Sequence, residues 1–94
     1  MIRSFKGKWA DPVFNGQQPK GFPPGLFERA RNKLLMVDAA AGLNDLKVPP
    51  SNNKLHALKD DRKGQHAISI NDQWRICFVW KNGGAEQVEI TDYH

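Results

Sequence analysis

Six residues in the second half of the chain could together carry out acid–base chemistry on a phosphate: His56, Lys59, Arg75 and the run Asp92-Tyr93-His94. Phosphodiester cleavage needs a cation to stabilise charge developing on the phosphate. It also needs a base to take a proton from the attacking oxygen and an acid to protonate the leaving one. Arginine and lysine serve the first need; histidine and aspartate serve the other two. The sequence offers no carboxylate cluster suited to holding two metals, so a metal-independent route through an RNA 2′-hydroxyl, without a cofactor, fits these residues best. Each residue taken singly has an ordinary structural role. A lone arginine on a sheet face is usually solvated or ion-paired, and His56 between Leu55 and Leu58 suits a hydrogen-bonded structural position. Asp60-Asp61-Arg62-Lys63 reads as a solvated turn and Tyr93-His94 as a frayed end. No Gly-rich phosphate loop, His/Cys metal spacing or Ser-His-Asp arrangement is present.

The element that must position Arg75 is the run Gln73 to Trp80. With a period of two, Trp74, Ile76, Phe78 and Trp80 fall on one face of a strand and Arg75, Cys77 and Val79 on the other. Gln65 to Ile70 alternates as well, with Ile68 and Ile70 inward, Ser69 outward and His66 on the packing side. Asn71-Asp72 predicts a tight turn joining the two strands. Asn82-Gly83-Gly84 predicts a second hairpin into Ala85–Thr91, whose Val88 and Ile90 face inward. The result is an antiparallel meander of at least three strands. Upstream, Ile2–Phe5 is expected to be a short strand, and Pro12 limits Lys6–Asn15 to a short or broken helix. From Pro24 to about Ala41, Leu26, Phe27, Ala30, Leu34, Val37 and Ala41 form one helical stripe, with Lys33 and Met36 off it. Gly42 ends that helix, Leu43–Leu46 adds a turn, and Val48–Asn53 is a connector. Helices followed by strands predict one α+β domain over residues 1–94, its helices covering the aromatic sheet face. The opposite face is expected to be open, carrying Ser69 and Arg75 beside His56 and Lys59.

Bulk properties limit the alternatives. Ninety-four residues suit one small core, and 39% hydrophobic content with three Trp and five Phe is enough to build it. The net charge of +4 and pI near 9.5 suit an anionic partner, nucleic acid or acidic protein. One cysteine excludes an intrachain disulfide and a multi-cysteine zinc site; Cys77 is expected to be a small buried hydrophobe. No apolar run is long enough for a transmembrane helix, and Met1–Lys6 lacks the apolar centre of a signal peptide. A soluble, cytoplasmic protein without membrane contact is expected.

The segment Lys54-Leu55-His56-Ala57-Leu58-Lys59-Asp60-Asp61-Arg62-Lys63-Gly64, with Ile68-Ser69-Ile70, Gln73-Trp74-Arg75-Ile76 and the closing Asp92-Tyr93-His94, resembles the HigB toxins of the RelE/ParE superfamily. Met1–Lys6 and Gly21-Phe22-Pro23-Pro24 match as well, so the resemblance spans the chain. It implies a RelE-like α+β fold, with N-terminal helices packed on a curved antiparallel sheet. It also implies a ribosome-dependent endoribonuclease that cuts translated mRNA in the decoding site of the 70S ribosome. The implied partner is a HigA-like helix-turn-helix antitoxin, through which alone the toxin would meet operator DNA. His56, Lys59, Arg75, Asp92, Tyr93 and His94 match the family's active-site positions. Arg75 and Lys59 would then carry transition-state charge, His94 and Asp92 acid–base work with His56 as the alternative, and Tyr93 a base stack. Lys54, Arg62, Lys63 and Ser69 are expected to contact the RNA. The turn Asn71-Asp72-Gln73 departs from the family by being acidic where some members are basic. Two other readings share the scaffold: a ParE-like inhibitor of DNA gyrase that cuts nothing, and an attenuated toxin serving mainly as its antitoxin's corepressor.

Overall fold

The computed structural model describes residues 1–47 and 53–92. The expected connector Val48–Asn53, save Asn53 itself, and the closing pair Tyr93-His94 lie outside the described residues. The chain runs through helix α1 (Ala10–Phe14), helix α2 (Phe27–Ala39) and a 3₁₀ turn (Leu43–Leu46). Strands β1 (His56–Ala57), β2 (His66–Ser69), β3 (Arg75–Lys81) and β4 (Gly84–Thr91) follow, with a second 3₁₀ turn, Asp60–Arg62, between β1 and β2. The strands form one antiparallel sheet in the order β1-β2-β3-β4.

The second hairpin forms as its sequence demands. Asn82 and Gly83 take φ of +52° and +77° between β3 and β4, the left-handed pair that suits a two-residue hairpin turn. The first hairpin differs from the expected tight turn. Asn71 Oδ1 accepts from the amides of Gln73 (2.9 Å) and Trp74 (2.7 Å), winding the chain into a longer loop. β3 therefore begins at Arg75, and Trp74 carries the loop's closing carbonyl, which accepts from Ile70 N–H at 2.9 Å.

Both helices start where the backbone permits. Pro12 sits in the first turn of α1, where its missing N–H has no helical partner to lose. α2 starts at Phe27 rather than Pro24, because Gly25 holds φ +74° and a turn from Pro23 O to Leu26 N precedes the helix. Its buried stripe is Ala30, Lys33, Leu34 and Val37, continued at the C-cap by Ala40 while Ala41 is exposed. Lys33, expected off the stripe, is buried because Asn53 Oδ1 accepts from its amine; Asn53 also donates to Leu46 O at 3.1 Å. Burial, and then Arg29, hold the Lys33 pKa below the ordinary lysine range. Met36 stays off the stripe, 41% exposed.

The N-terminal segment forms two isolated parallel bridges rather than a strand, Ile2 to Ala85 and Phe5 to Val88. Between those bridges β4 carries an extra residue: Gln87 sits at φ +54° and donates its N–H to Ser4 Oγ at 2.8 Å. This bulge lets Ala85, Val88 and Ile90 all face the core, which strict alternation from Ala85 forbids. Ile68, Ile70, Ile76 and Phe78 join them there under the helices, while Trp74 and Trp80 flank the cluster half-buried. His66 pairs with Phe78, their rings stacked at 6.3 Å, which places it on the packing side as expected.

Candidate active site

Strand register fixes which side chains share the sheet face opposite the helices. His56 pairs with Ala67, Ala67 with Cys77 and Cys77 with Glu89; in the adjoining row Ser69 pairs with Arg75 and Arg75 with Thr91. Cross-strand partners stand on the same face, so His56, Cys77, Glu89, Ser69, Arg75 and Thr91 are carried together. This face is less open than its parity predicts. Ala67 and Cys77 are fully buried and Ser69 is 7% exposed, its hydroxyl donating to Asn71 O at 3.3 Å. The expected RNA-contacting role of Ser69 thus meets a side chain turned into the β2–β3 loop.

Arg75 is clasped by that loop. Its Nη1 donates to the carbonyls of Asn71 (2.6 Å) and Trp74 (3.2 Å), and its Nη2 to that of Asp72 (3.2 Å). All three acceptors are backbone oxygens, and no carboxylate among the described residues forms an ion pair with it. The guanidinium is therefore held in place by neutral groups. The acidic residue of the loop contributes to this only through its main chain. Asp92 approaches the same loop from the end of β4: its Oδ2 accepts from Gln73 Nε2 at 2.9 Å.

Arg62 behaves differently. It reaches across the face to Glu89 at 3.2 Å and to Gln65 Oε1 at 3.2 Å, so the residue expected on a solvated, RNA-contacting turn closes an internal ion pair. Glu89 is the site-face residue that sequence reasoning missed. Its outward position between Val88 and Ile90 was legible, but its pairing with a residue 27 positions away was not. His56 is exposed, with Nδ1 2.9 Å from Lys54 O. A carbonyl can only accept, so Nδ1 carries the proton, and in the neutral ring Nε2 is the basic nitrogen. Lys54, Lys59 and Lys63 are exposed around β1 and the turn that follows it. The structure thus brings Arg75, Asp92 and the 71–74 loop together and sets His56 on the same face. Tyr93 and His94 follow Asp92 in sequence, outside the described residues.

Beneath these groups, Cys77 is no nucleophile. Burial pushes its thiol from the ordinary 9.0 to about 11, against the opposing influence of Arg62, with Glu89, Arg75 and Lys6 also near. Among the described residues, no three His, Cys, Asp or Glu side chains are grouped as metal ligands.

Residues 3–94 match the family model described as the RelE-like toxin of the type II toxin-antitoxin system HigB. The chain belongs to the HigB-like toxins. It is 35% identical over 94 residues to Endoribonuclease HigB of Proteus vulgaris, covering the whole of both chains. It is also 35% identical over 86 residues to Toxin HigB-1 of Vibrio cholerae, covering 90% of each. A crystal structure of a YafQ mutant from E. coli superposes with a TM-score of 0.62 at 13% identity, covering 98% of this chain and 93% of that one. This likeness shows the RelE-like fold: two helices on a four-stranded antiparallel sheet, as the α+β reading expected. As a type II toxin, the chain has an antitoxin as its partner. No helix among the described residues is long and apolar enough to cross a membrane.

Proposed function

We propose that this HigB-like toxin is an endoribonuclease that cuts translated mRNA on the 70S ribosome, in the cytoplasm, without a metal. Its antitoxin would be a HigA-like helix-turn-helix protein, with operator DNA reached only through that partner. The observation that carries the catalytic reading is Arg75: a guanidinium fixed on three backbone carbonyls, with no ion pair among the described residues, on the face that bears a histidine and held by the loop that Asp92 reaches through Gln73. A preorganised cation of this kind stabilises charge as it develops on a phosphate without having to reorient. The name of the Proteus relative supports the same activity.

In this mechanism the 2′-hydroxyl attacks the adjacent phosphate and the P–O5′ bond breaks, leaving a 2′,3′-cyclic phosphate and a 5′-hydroxyl, while Arg75, with Lys59, stabilises the charge that builds on the phosphoryl oxygens. Asp92 and His94 divide the proton transfers, with His56 the alternative base through Nε2. Tyr93 stacks on or orients a base. Lys54 and Lys63 meet the RNA backbone, where their exposure allows contact.

Primer extension on mRNA from cells expressing the toxin without antitoxin tests this reading. Cuts phased with codons, absent in Arg75→Ala, are the expected result. Intact mRNA accompanied by altered plasmid supercoiling would overturn it in favour of gyrase inhibition. Growth unaffected by the wild-type chain would leave the corepressor reading.

A further inference from the structure

Asn53 is a polar residue only 2% exposed, where the chain passes from the helical layer into β1, and it is held from three sides. Its Oδ1 accepts from the buried Lys33 amine of α2, and its Nδ2 donates to Leu46 O at 3.1 Å. Its main-chain carbonyl accepts from Ser69 N–H at 2.6 Å. That last bond interrupts the β1–β2 ladder. His56 pairs with Ala67, so continued register would set Lys54 opposite Ser69 and let Lys54 O take the N–H. Asn53 takes it instead, and Lys54 becomes an extra residue at φ +53°, a left-handed conformation that a lysine keeps only under constraint. The Lys54 carbonyl is thereby turned off the ladder and lies 2.9 Å from His56 Nδ1. The hold also runs towards Arg75. Ser69 Oγ donates to Asn71 O at 3.3 Å, and the same oxygen accepts from Arg75 Nη1 at 2.6 Å.

We propose that Lys33 and Asn53 are positioning residues of the cleavage reaction, which fix the basic nitrogen of His56 and its place relative to Arg75. The inference rests on the nuclease reading, in the form that uses His56 as base through Nε2. Both residues are buried, so they act through Lys54 and Ser69 rather than on the substrate. An ammonium can only donate, so Lys33 decides which end of the Asn53 amide faces α2. The NH₂ end is then committed to Leu46 O, and the side chain has one satisfied orientation. An apolar pair at the same place could slide; this one fixes the backbone that turns Lys54 O towards His56. With that carbonyl occupying Nδ1–H, Nε2 is left to accept a proton.

NMR of isotope-labelled imidazole nitrogens in the full chain, at about pH 8 where histidine is neutral, tests this beside kcat and KM for mRNA cleavage on 70S ribosomes. The wild type is expected to carry the His56 proton on Nδ1. Lys33→Met keeps an apolar stem and removes the donor. It should move that proton towards Nε2 and lower kcat roughly 10–10²-fold, with KM changed less than about twofold. Val37→Ala trims the same buried stripe of α2 and serves as the control for a merely structural role. It should lower the denaturant midpoint yet leave the tautomer and kcat as in the wild type. A proton on Nε2 in the wild type would overturn the inference, as would a tautomer and kcat in Lys33→Met no different from those of Val37→Ala. If Lys33→Met does not fold, Asn53→Asp decides, because it keeps the acceptor for Lys33 and loses the donor to Leu46. The same tautomer change is expected there, and an unchanged tautomer overturns the inference. A tautomer that responds to these substitutions in a chain whose wild type makes no cuts supports the hold on His56 and rejects the nuclease reading.

Discussion

The two faces of the sheet are both buried at their centres, by opposite means. Under the helices, Ile68, Ile76, Phe78, Val88 and Ile90 are excluded from water by apolar packing. On the other side Ala67, Cys77 and Ser69 are small and are surrounded by charged groups, Arg62, Glu89 and Arg75 among them. One face is built from shape and area; the other holds small side chains where polar ones gather, which leaves room for a site without opening the sheet to water. Two arginines on that second face differ in the same instructive way. Arg62 is neutralised by Glu89, whereas Arg75 is held by carbonyls that position its charge without cancelling it.

The largest difference between the two faces is expected at Phe78. Phe78→Ala removes a fully buried ring and is expected to cost about 3–5 kcal/mol, visible as a large drop in denaturant midpoint. A loss under ~1 kcal/mol would mean that the helix-covered face is not the principal source of stability. Next comes Arg75→Ala. Losing a fixed cation at the phosphate should lower RNA cleavage roughly 10²–10³-fold. Stability should fall by only about 1 kcal/mol, because its acceptors lie in a loop that water can reach. Retained toxicity would move the site elsewhere.

Arg62→Ala sharpens the contrast between the arginines. Its ion pair, about a quarter exposed on the Arg62 side, is worth about 1 kcal/mol, and cleavage should fall by less than about tenfold. An effect on cleavage equal to that of Arg75→Ala would erase the distinction. The smallest effect concerns pH. The folded Cys77 thiol ionises near 11 and its ordinary value is 9.0, so below 9.0 both folded and unfolded chains keep the proton and the thiol adds no pH dependence. As pH rises from there towards 11, the unfolded chain ionises first and stability falls. Thermal melts of wild type and Cys77→Ala between about pH 8 and about pH 11 should show the wild type losing more; parallel curves would contradict a buried thiol.

Much of this was legible in the residues because it depends on local spacing. Alternation from Trp74 to Trp80 separated Phe78 from Arg75, Asn82-Gly83 specified its hairpin, and Pro12 shortened α1. The residue pattern of Lys54–Gly64 and the closing Asp92-Tyr93-His94 pointed to the family that the full-length match shows. What escaped depended on partners distant in sequence. Lys33 looks like a solvent-facing lysine until Asn53, 20 residues on, supplies its acceptor. The Gln87 bulge has no marker of its own; Ser4, 83 residues away, accepts its amide.

Arg75 shows where the division falls. Alternation along the strand already places it opposite the aromatic face, since period two follows from backbone geometry alone. Which of the two arginines meets a carboxylate depended instead on the folded chain. The 71–74 loop curls under Arg75 and offers carbonyls, while β4 brings Glu89 within reach of Arg62. Charge compensation is settled by through-space distance, which depends on how strands pair and loops wind rather than on the order of residues along the chain.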